Sequence, residues 1–306
     1  MDSPSFSVVI PTYNRAGFIA KTLGSVLAQT YPHYEIIVVD NCSTDDTAEV
    51  IAPFVAGGRV RFIRHDRNYE RARSRNTGMA AARGDYVTLL DSDDLMYPDN
   101  LADAAAYALE RPEIKCFHNL NEMVDPEGRV VYRHKFPPLG DQAKAIASGN
   151  FMSCIGDFIH REIYQNYQFD THPRLTGVED WDFWLRVLAD YRVGRIERVN
   201  SGIVQHGGRS VESQDLTSLE AGYAVLHRKL AEDARLRAVY GPHLRRIEAN
   251  SFIYLAILGN SGRLRRVSLG YLRRAASADP TVAVTPRYLR VLQLALTGAS
   301  RNGARA

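Results

Sequence analysis

Gly84-Asp85-Tyr86-Val87-Thr88-Leu89-Leu90-Asp91-Ser92-Asp93-Asp94 carries a short apolar run straight into a cluster of three acids. The run Tyr86 to Leu90 is β-branched, aromatic or aliphatic on both parities, which predicts a strand buried on both faces of a parallel sheet. Its carboxylates then fall at the strand's C-terminal end, where open α/β sheets bind ligands. Three crowded acids repel one another unless a divalent cation or water screens them, and Asp91 and Asp93 can both offer oxygens to one hard cation. A metal-bound, phosphate-bearing substrate is the first expectation. The plain alternative is a solvated acidic turn that caps the next helix.

Outward from this stretch, strand and helix alternate. Phe6 to Ile10 predicts a strand ended by Pro11, and Ala16 to Gln29 a helix with Phe18, Ile19, Leu23, Val26 and Leu27 along one stripe. Tyr34 to Val39 and Val60 to Ile63 read as further strands, and the segments around Val50 to Phe54 and Ala72 to Arg83 as helices. Short connections between alternating elements specify a doubly wound, mostly parallel α/β sheet. Each strand ends in a polar tip: Thr12 to Asn14, Asp40 to Ser43, Asn68 to Arg71 and Asp91 to Asp94. In a parallel sheet these tips line one cleft, although Asp40 and Asp45 also suit helix capping. The first strand leads into Pro11-Thr12-Tyr13-Asn14-Arg15 and lacks G-x-G-x-x-G, which excludes the usual dinucleotide fold.

At 306 residues, 45% hydrophobic and 24% charged, the chain has the composition of a globular protein with a sizeable core. Its three cysteines, Cys42, Cys116 and Cys154, form no C-x-x-C pair, which argues against a disulfide framework or a zinc site. No signal peptide and no membrane-spanning run is evident, so a cytoplasmic location is expected. The net charge of +3 is unevenly spread: residues 215–306 hold 15 Arg or Lys against 6 Asp or Glu, a balance of +9, leaving −6 on the first 214. That asymmetry implies different partners for the two parts.

Four blocks now stand in order: Val9-Ile10-Pro11-Thr12-Tyr13-Asn14; Ile37-Val38-Val39-Asp40-Asn41 with Ser43-Thr44-Asp45; Ala72-Arg73-Ser74-Arg75-Asn76-Thr77-Gly78; and Ala82-Arg83-Gly84-Asp85-Tyr86 into Leu90-Asp91-Ser92-Asp93-Asp94. Together, over roughly the first 210 residues, they resemble family 2 glycosyltransferases of the GT-A fold. The resemblance implies a nucleotide-sugar donor, by default a UDP-sugar, a divalent cation (Mn or Mg), and transfer with inversion. By position it places Pro11, Thr12, Tyr13 and Asn14 beside the base and has Asp40 accept from it. Arg71, Arg75, Asp91 and Ser92 fall near the nucleotide, and Asp93 and Asp91 at the metal. Two departures stand out: Asn41-Cys42 where Asp-Gly is common, and Glu70 where a glycine often precedes the Ala-Arg-Asn block.

Lys115 to Lys135 predicts a hairpin over Asp125-Pro126-Glu127-Gly128, while 139–178 gives no clear pattern and suits an acceptor-lining or plain surface connection. Glu179-Asp180-Trp181-Asp182 opens a helix with its acids in the first turn, where the dipole favours them. The block also resembles the family's Glu-Asp motif, which makes Asp180 the base that deprotonates the acceptor, with Glu179 orienting it or binding the acceptor. Val193 to Val199 and Gly202 to Gln205 read as closing strands, leading to His206 and Arg209. In the family such a His can complete the metal shell, which requires the neutral imidazole, or contact the diphosphate, and Arg209 suits paired phosphate oxygens.

Beyond Ser218 four helices are expected, over Ala221 to Asp233, Pro242 to Leu258, Arg263 to Ala278 and Pro286 to Leu296. The reading is therefore a GT-A catalytic domain at 1–214 and a basic, all-helical appendage at 215–306. Its function would be metal-dependent inverting transfer of a sugar to a saccharide or lipid-linked acceptor in cell-surface polysaccharide synthesis. Residues 263–274 suit either peripheral membrane contact or a solvated basic face, with no motif for nucleic acid. The rivals are a non-catalytic saccharide-binding or scaffold subunit, and a sugar nucleotidyltransferase, whose glycine-rich N-terminal loop is missing.

Overall fold

Alternating apolar runs and amphipathic stripes build the computed structural model, which describes residues 3–207 and 215–297. Strands β1 (Phe6–Thr12), β2 (Tyr34–Asp40), β3 (Val60–Arg64) and β4 (Tyr86–Leu90) are joined by helices α1 (Ile19–Leu27), α2 (Thr47–Ala56) and α3 (Arg71–Ala81). The four strands pair in parallel in the order β3-β2-β1-β4. Every residue of β1 and β4 is buried, as apolar residues on both parities require.

One face of this sheet presents Phe6, Val8, Ile10, Ile36 and Val38 to Ile19, Leu23 and Val26 of α1 and to Leu101 and Ala104 of α4 (Asn100–Glu110). The opposite face meets α3 at close range. A Cβ on Gly78 would stand 2.2 Å from Val9 Cγ1, so only glycine allows this approach.

Past β4 the sheet becomes mixed. Strands β5 (Leu95–Met96), β6 (Cys116–Val124), β7 (Val130–Arg133), β8 (Ile155–His160) and β9 (Val193–Val204) continue it in the order β4-β8-β6-β9-β5, with β7 on β6. The β6–β7 hairpin forms over the expected turn, with Gly128 at φ +86°.

Two elements differ from the sequence reading. β8 lies inside the stretch that gave no pattern and runs antiparallel between β4 and β6. Gly156 and Asp157 hide it, because neither is a strand former. Gly156 sits at φ +72° with Asn119 Oδ1 only 2.0 Å from where a Cβ would be. Residues 193–204 form one strand where two were expected. The β6–β9 register slips between Asn119 and Asn121, so Glu197 and Arg198 bulge outward and interrupt the apolar pattern.

Helices α5 (Gln142–Ala147), α6 (Arg161–Tyr164) and α7 (Glu179–Leu188) follow, and then α8 (Leu216–Glu232), α9 (Ala234–Tyr240), α10 (Leu244–Ser261), α11 (Arg265–Ala278) and α12 (Pro286–Thr297). The short α9 was not expected. Asp233 ends α8 and caps α9, its side chain accepting from Leu236 N at 3.0 Å, which breaks one helical run into two. The chain divides into two compact units. One is built on the sheet with α1 to α4, α6 and α7; the other is helical and combines α5, the turn Pro173–Leu175 and α8 to α12. Among the described residues no helix is long and apolar enough to cross a membrane.

Candidate active site

The parallel register sets Thr12 beside Asp40, and Asn41 N donates to Thr12 O at 2.9 Å, so the tips of β1 and β2 are tied together. Asn14 and Cys42 both take left-handed backbone, at φ +51° and +65°. Asn14 N donates to Ser43 Oγ at 2.9 Å, and its side-chain oxygen accepts from Thr44 N at 2.8 Å. Asp40 is fully buried and turned into the protein: Oδ1 accepts from Ser43 N at 3.0 Å and from its hydroxyl, while Oδ2 lies 3.3 Å from Arg64 Nε. Asn41 links this tip to the next connection, donating to Asn68 Oδ1 at 2.7 Å and accepting from Tyr69 N at 2.9 Å. Tyr13 is exposed, whereas Pro11 and Thr12 are buried.

The acids beyond β4 divide between two pairings. Asp91, more than a third exposed, lies 3.3 Å from Arg75 Nη2. Arg75 is buried, and its Nη1 reaches Glu179 Oε1 at 3.0 Å; the same oxygen is 3.4 Å from Arg71 Nε. The chain Asp91–Arg75–Glu179–Arg71 thus joins the end of β4 to the first turn of α7. Asp93 takes the other pairing, its Oδ2 3.2 Å from Arg15 Nε and 3.1 Å from His206 Nε2. The His206 ring stacks on Phe18 at 4.1 Å between centroids. Ser92 is buried and its carbonyl accepts from Thr22 Oγ1, while Asp94 is consumed by the scaffold, accepting from Val204 N at 2.9 Å.

Asp180 follows Glu179 at the start of α7 and is half-buried. Burial first, and then the adjacent Glu179 charge, push its carboxyl up to about 6 against the pull of Arg75. A carboxylate poised there accepts a proton well near neutral pH. The structure therefore brings Asp91, Arg75, Arg71, Glu179 and Asp180 into one network, and Asp93, Arg15 and His206 into another. Arg209 lies outside the described residues.

Comparison with known proteins follows this geometry. The sequence matches the Glycosyl transferase family 2 profile over residues 7–168, more than half of its length. The chain belongs to glycosyl transferase family 2. It is 30% identical over 189 residues to the putative teichuronic acid biosynthesis glycosyltransferase TuaG of Bacillus subtilis, covering 60% of this chain and 72% of TuaG. In structure it resembles the mannosyltransferase PcManGT of Pyrobaculum calidifontis in complex with GDP-Man and Mn2+. The TM-score is 0.64 at 18% identity, over 97% of this chain and 86% of that one. It likewise resembles S. aureus TarS in complex with UDP-GlcNAc, with a TM-score of 0.59 at 19% identity over 96% and 92% of the two chains. These likenesses identify the fold as GT-A. Other relatives are much longer: the chain spans 34% of an uncharacterized glycosyltransferase of Rickettsia conorii, to which it is 28% identical over 214 residues.

A family 2 fold raises the question of a cation. Asp93 Oδ2 and His206 Nε2 stand 3.1 Å apart, near the roughly 3 Å that separates neighbouring ligands of an octahedral ion with bonds of about 2.1 Å. Among the described residues no group of three or more His, Cys, Asp or Glu side chains is placed to hold a metal. Asp93 and His206 are hydrogen-bonded to each other, and one carboxylate and one imidazole would leave a divalent ion to take its remaining ligands from substrate and water.

Three site residues escaped the sequence reading. Arg15 followed directly on the first tip but was given no role, although it pairs with Asp93. Phe18 was read only as part of a helical stripe, and it seats His206. Asp157, on the hidden strand β8, is fully buried with neither carboxyl oxygen in a well-formed hydrogen bond. Burial pushes it up to about 8. Only recognition of β8 would have revealed it.

Proposed function

We propose that this chain transfers a sugar, with inversion, from a nucleoside-diphosphate donor to a hydroxyl-bearing saccharide or lipid-linked acceptor. The observation that carries the reading is Asp180: a half-buried carboxylate raised to about 6, linked through Glu179 and Arg75 to Asp91 at the end of β4. Asp180 accepts the proton of the acceptor hydroxyl as its oxygen attacks the anomeric carbon, and the nucleoside diphosphate leaves from the opposite face. Glu179, held between Arg75 and Arg71, fixes the orientation of its neighbour. Arg15 places a positive charge beside Asp93, where diphosphate oxygens would lie. Asp93 and His206 would hold a divalent cation, which supplies charge neutralisation for the departing diphosphate.

The donor class is supported by PcManGT with GDP-Man and by TarS with UDP-GlcNAc, and a divalent cation by the Mn2+ in the former. A role in surface polysaccharide synthesis is supported by TuaG. We favour a uridine donor. The non-catalytic reading is disfavoured by the raised carboxyl at Asp180, since a scaffold gains nothing from a burial that penalises its charged form.

A thermal-shift screen of UDP, GDP and their sugar conjugates, with and without manganese, tests the donor site. Binding at about a hundredfold excess over Kd stabilises by about 2.7 kcal/mol, so a cation-dependent rise of several degrees with one base is expected. No shift with any nucleotide would refute the proposal.

A further inference from the structure

Sugar transfer leaves the outer surface of α11 and α12 without a role. Eleven large apolar side chains are exposed among the described residues, and five of them, Leu264, Val267, Val284, Leu289 and Leu296, fall between 264 and 296. Leu264 and Val267 flank the first turn of α11, 50% and 41% exposed; Leu289 and Leu296, at 50% and 64%, are seven residues apart and share one face of α12. The start of α11 and the end of α12 meet here, where Arg265 Nη2 donates to Thr297 O at 3.3 Å. Exposed arginines surround the apolar group: Arg263, Arg265 and Arg266 at the start of α11 and Arg290 on α12. Residues 263–306 hold nine arginines and one acid, Asp279, which is itself paired to Arg246 at 2.7 Å.

Charge and apolar exposure together select the occupant. Nucleic acid would satisfy the arginines and leave the leucines in water. A second copy of the chain would cover the leucines but press like charges together. A bilayer rich in anionic headgroups satisfies both, because arginine stems reach headgroup phosphates while short apolar side chains enter the headgroup–acyl boundary.

We propose that the first turn of α11 and the adjoining end of α12 form a docking surface for an anionic membrane, with Leu264, Val267 and Leu296 entering the boundary and Arg263, Arg265 and Arg266 binding headgroup phosphates. The surface stands on its own residues and does not depend on the transfer reading.

Co-sedimentation of the full chain with phosphatidylcholine vesicles, with and without phosphatidylglycerol, tests it at low and high salt. The wild-type chain should sediment with the phosphatidylglycerol vesicles only, and high salt should release it. The combined variant Leu264→Ser, Val267→Ser, Leu296→Ser and the separate variant Arg265→Glu, Arg266→Glu should each bind at least about tenfold more weakly, with an unchanged circular dichroism spectrum. The two variants change the surface in different ways, so a folding defect in one leaves the other decisive. Failure to sediment, equal sedimentation with both vesicle types, or full binding by both variants would overturn the proposal. So would a dimer in light scattering that the serine variant dissolves.

Discussion

Asp157 faces the interior of the sheet unit with its carboxyl raised to about 8, against an ordinary value of about 3.9. The folded state therefore keeps this proton over a range in which the unfolded chain has released it. The stability it contributes is complete below about pH 4 and is lost as pH rises through about 8, with a slope on the order of 1 kcal/mol per pH unit between them. Asp157→Asn, which cannot ionise, should remove that slope. Urea unfolding at several values between pH 5 and pH 9 should show the wild type losing stability relative to the variant; parallel curves would contradict the assignment. At this scale the sequence was most readable where residue type and strand position agree, as in the placement of Asp91 and Asp93 just past the end of β4. It was least readable at Arg75. The resemblance placed it near the nucleotide, but nothing in the local pattern announces that Glu179, far away in the chain, draws it into a buried pair at 3.0 Å. Cys42 lies between these cases: it stands where glycine is common, and its φ of +65° is the backbone that glycine would relieve.

The elements that position the site depend on close approaches that only small residues permit. Gly84 enters β4 with Ser7 N 2.6 Å and Phe6 C 2.7 Å from the place of a Cβ, and both are backbone atoms that cannot swing aside. Gly84→Ala should destabilise by about 1–3 kcal/mol or more. Gly24, exposed inside α1 with nothing within 4 Å, provides the control, and Gly24→Ala should stabilise by about 0.5–1 kcal/mol. Chemical denaturation of the two variants checks this, and equal effects would show that β1 and β4 do not pack as described. The parallel half of the sheet was readable because its strands are apolar on both parities. The mixed half was not. β8 carries a glycine and an acid that burial in the sheet tolerates but strand propensity does not announce, and β9 is interrupted by a bulge. Tertiary context decided both.

For the whole molecule, the sequence already divided the chain by charge, +9 on residues 215–306 and −6 before them. The helical character of the C-terminal region was readable from its apolar spacing, whereas α9, too short to show a clear apolar period, fell in the gap between the helices expected at Ala221 to Asp233 and at Pro242 to Leu258. The central claim is that residues distant in sequence, Asp93 and Asp180, act together on a sugar nucleotide and its acceptor. The most direct measurement is release of nucleoside diphosphate from the stabilising donor, with acceptor and manganese present, for the wild type, Asp93→Ala and Asp180→Asn. The account predicts turnover in the wild type that rises with pH through about 6, loss of both turnover and cation-dependent donor binding in Asp93→Ala, and, in Asp180→Asn, intact donor binding with turnover lowered by about 10²–10⁴. Full turnover by Asp180→Asn would contradict it.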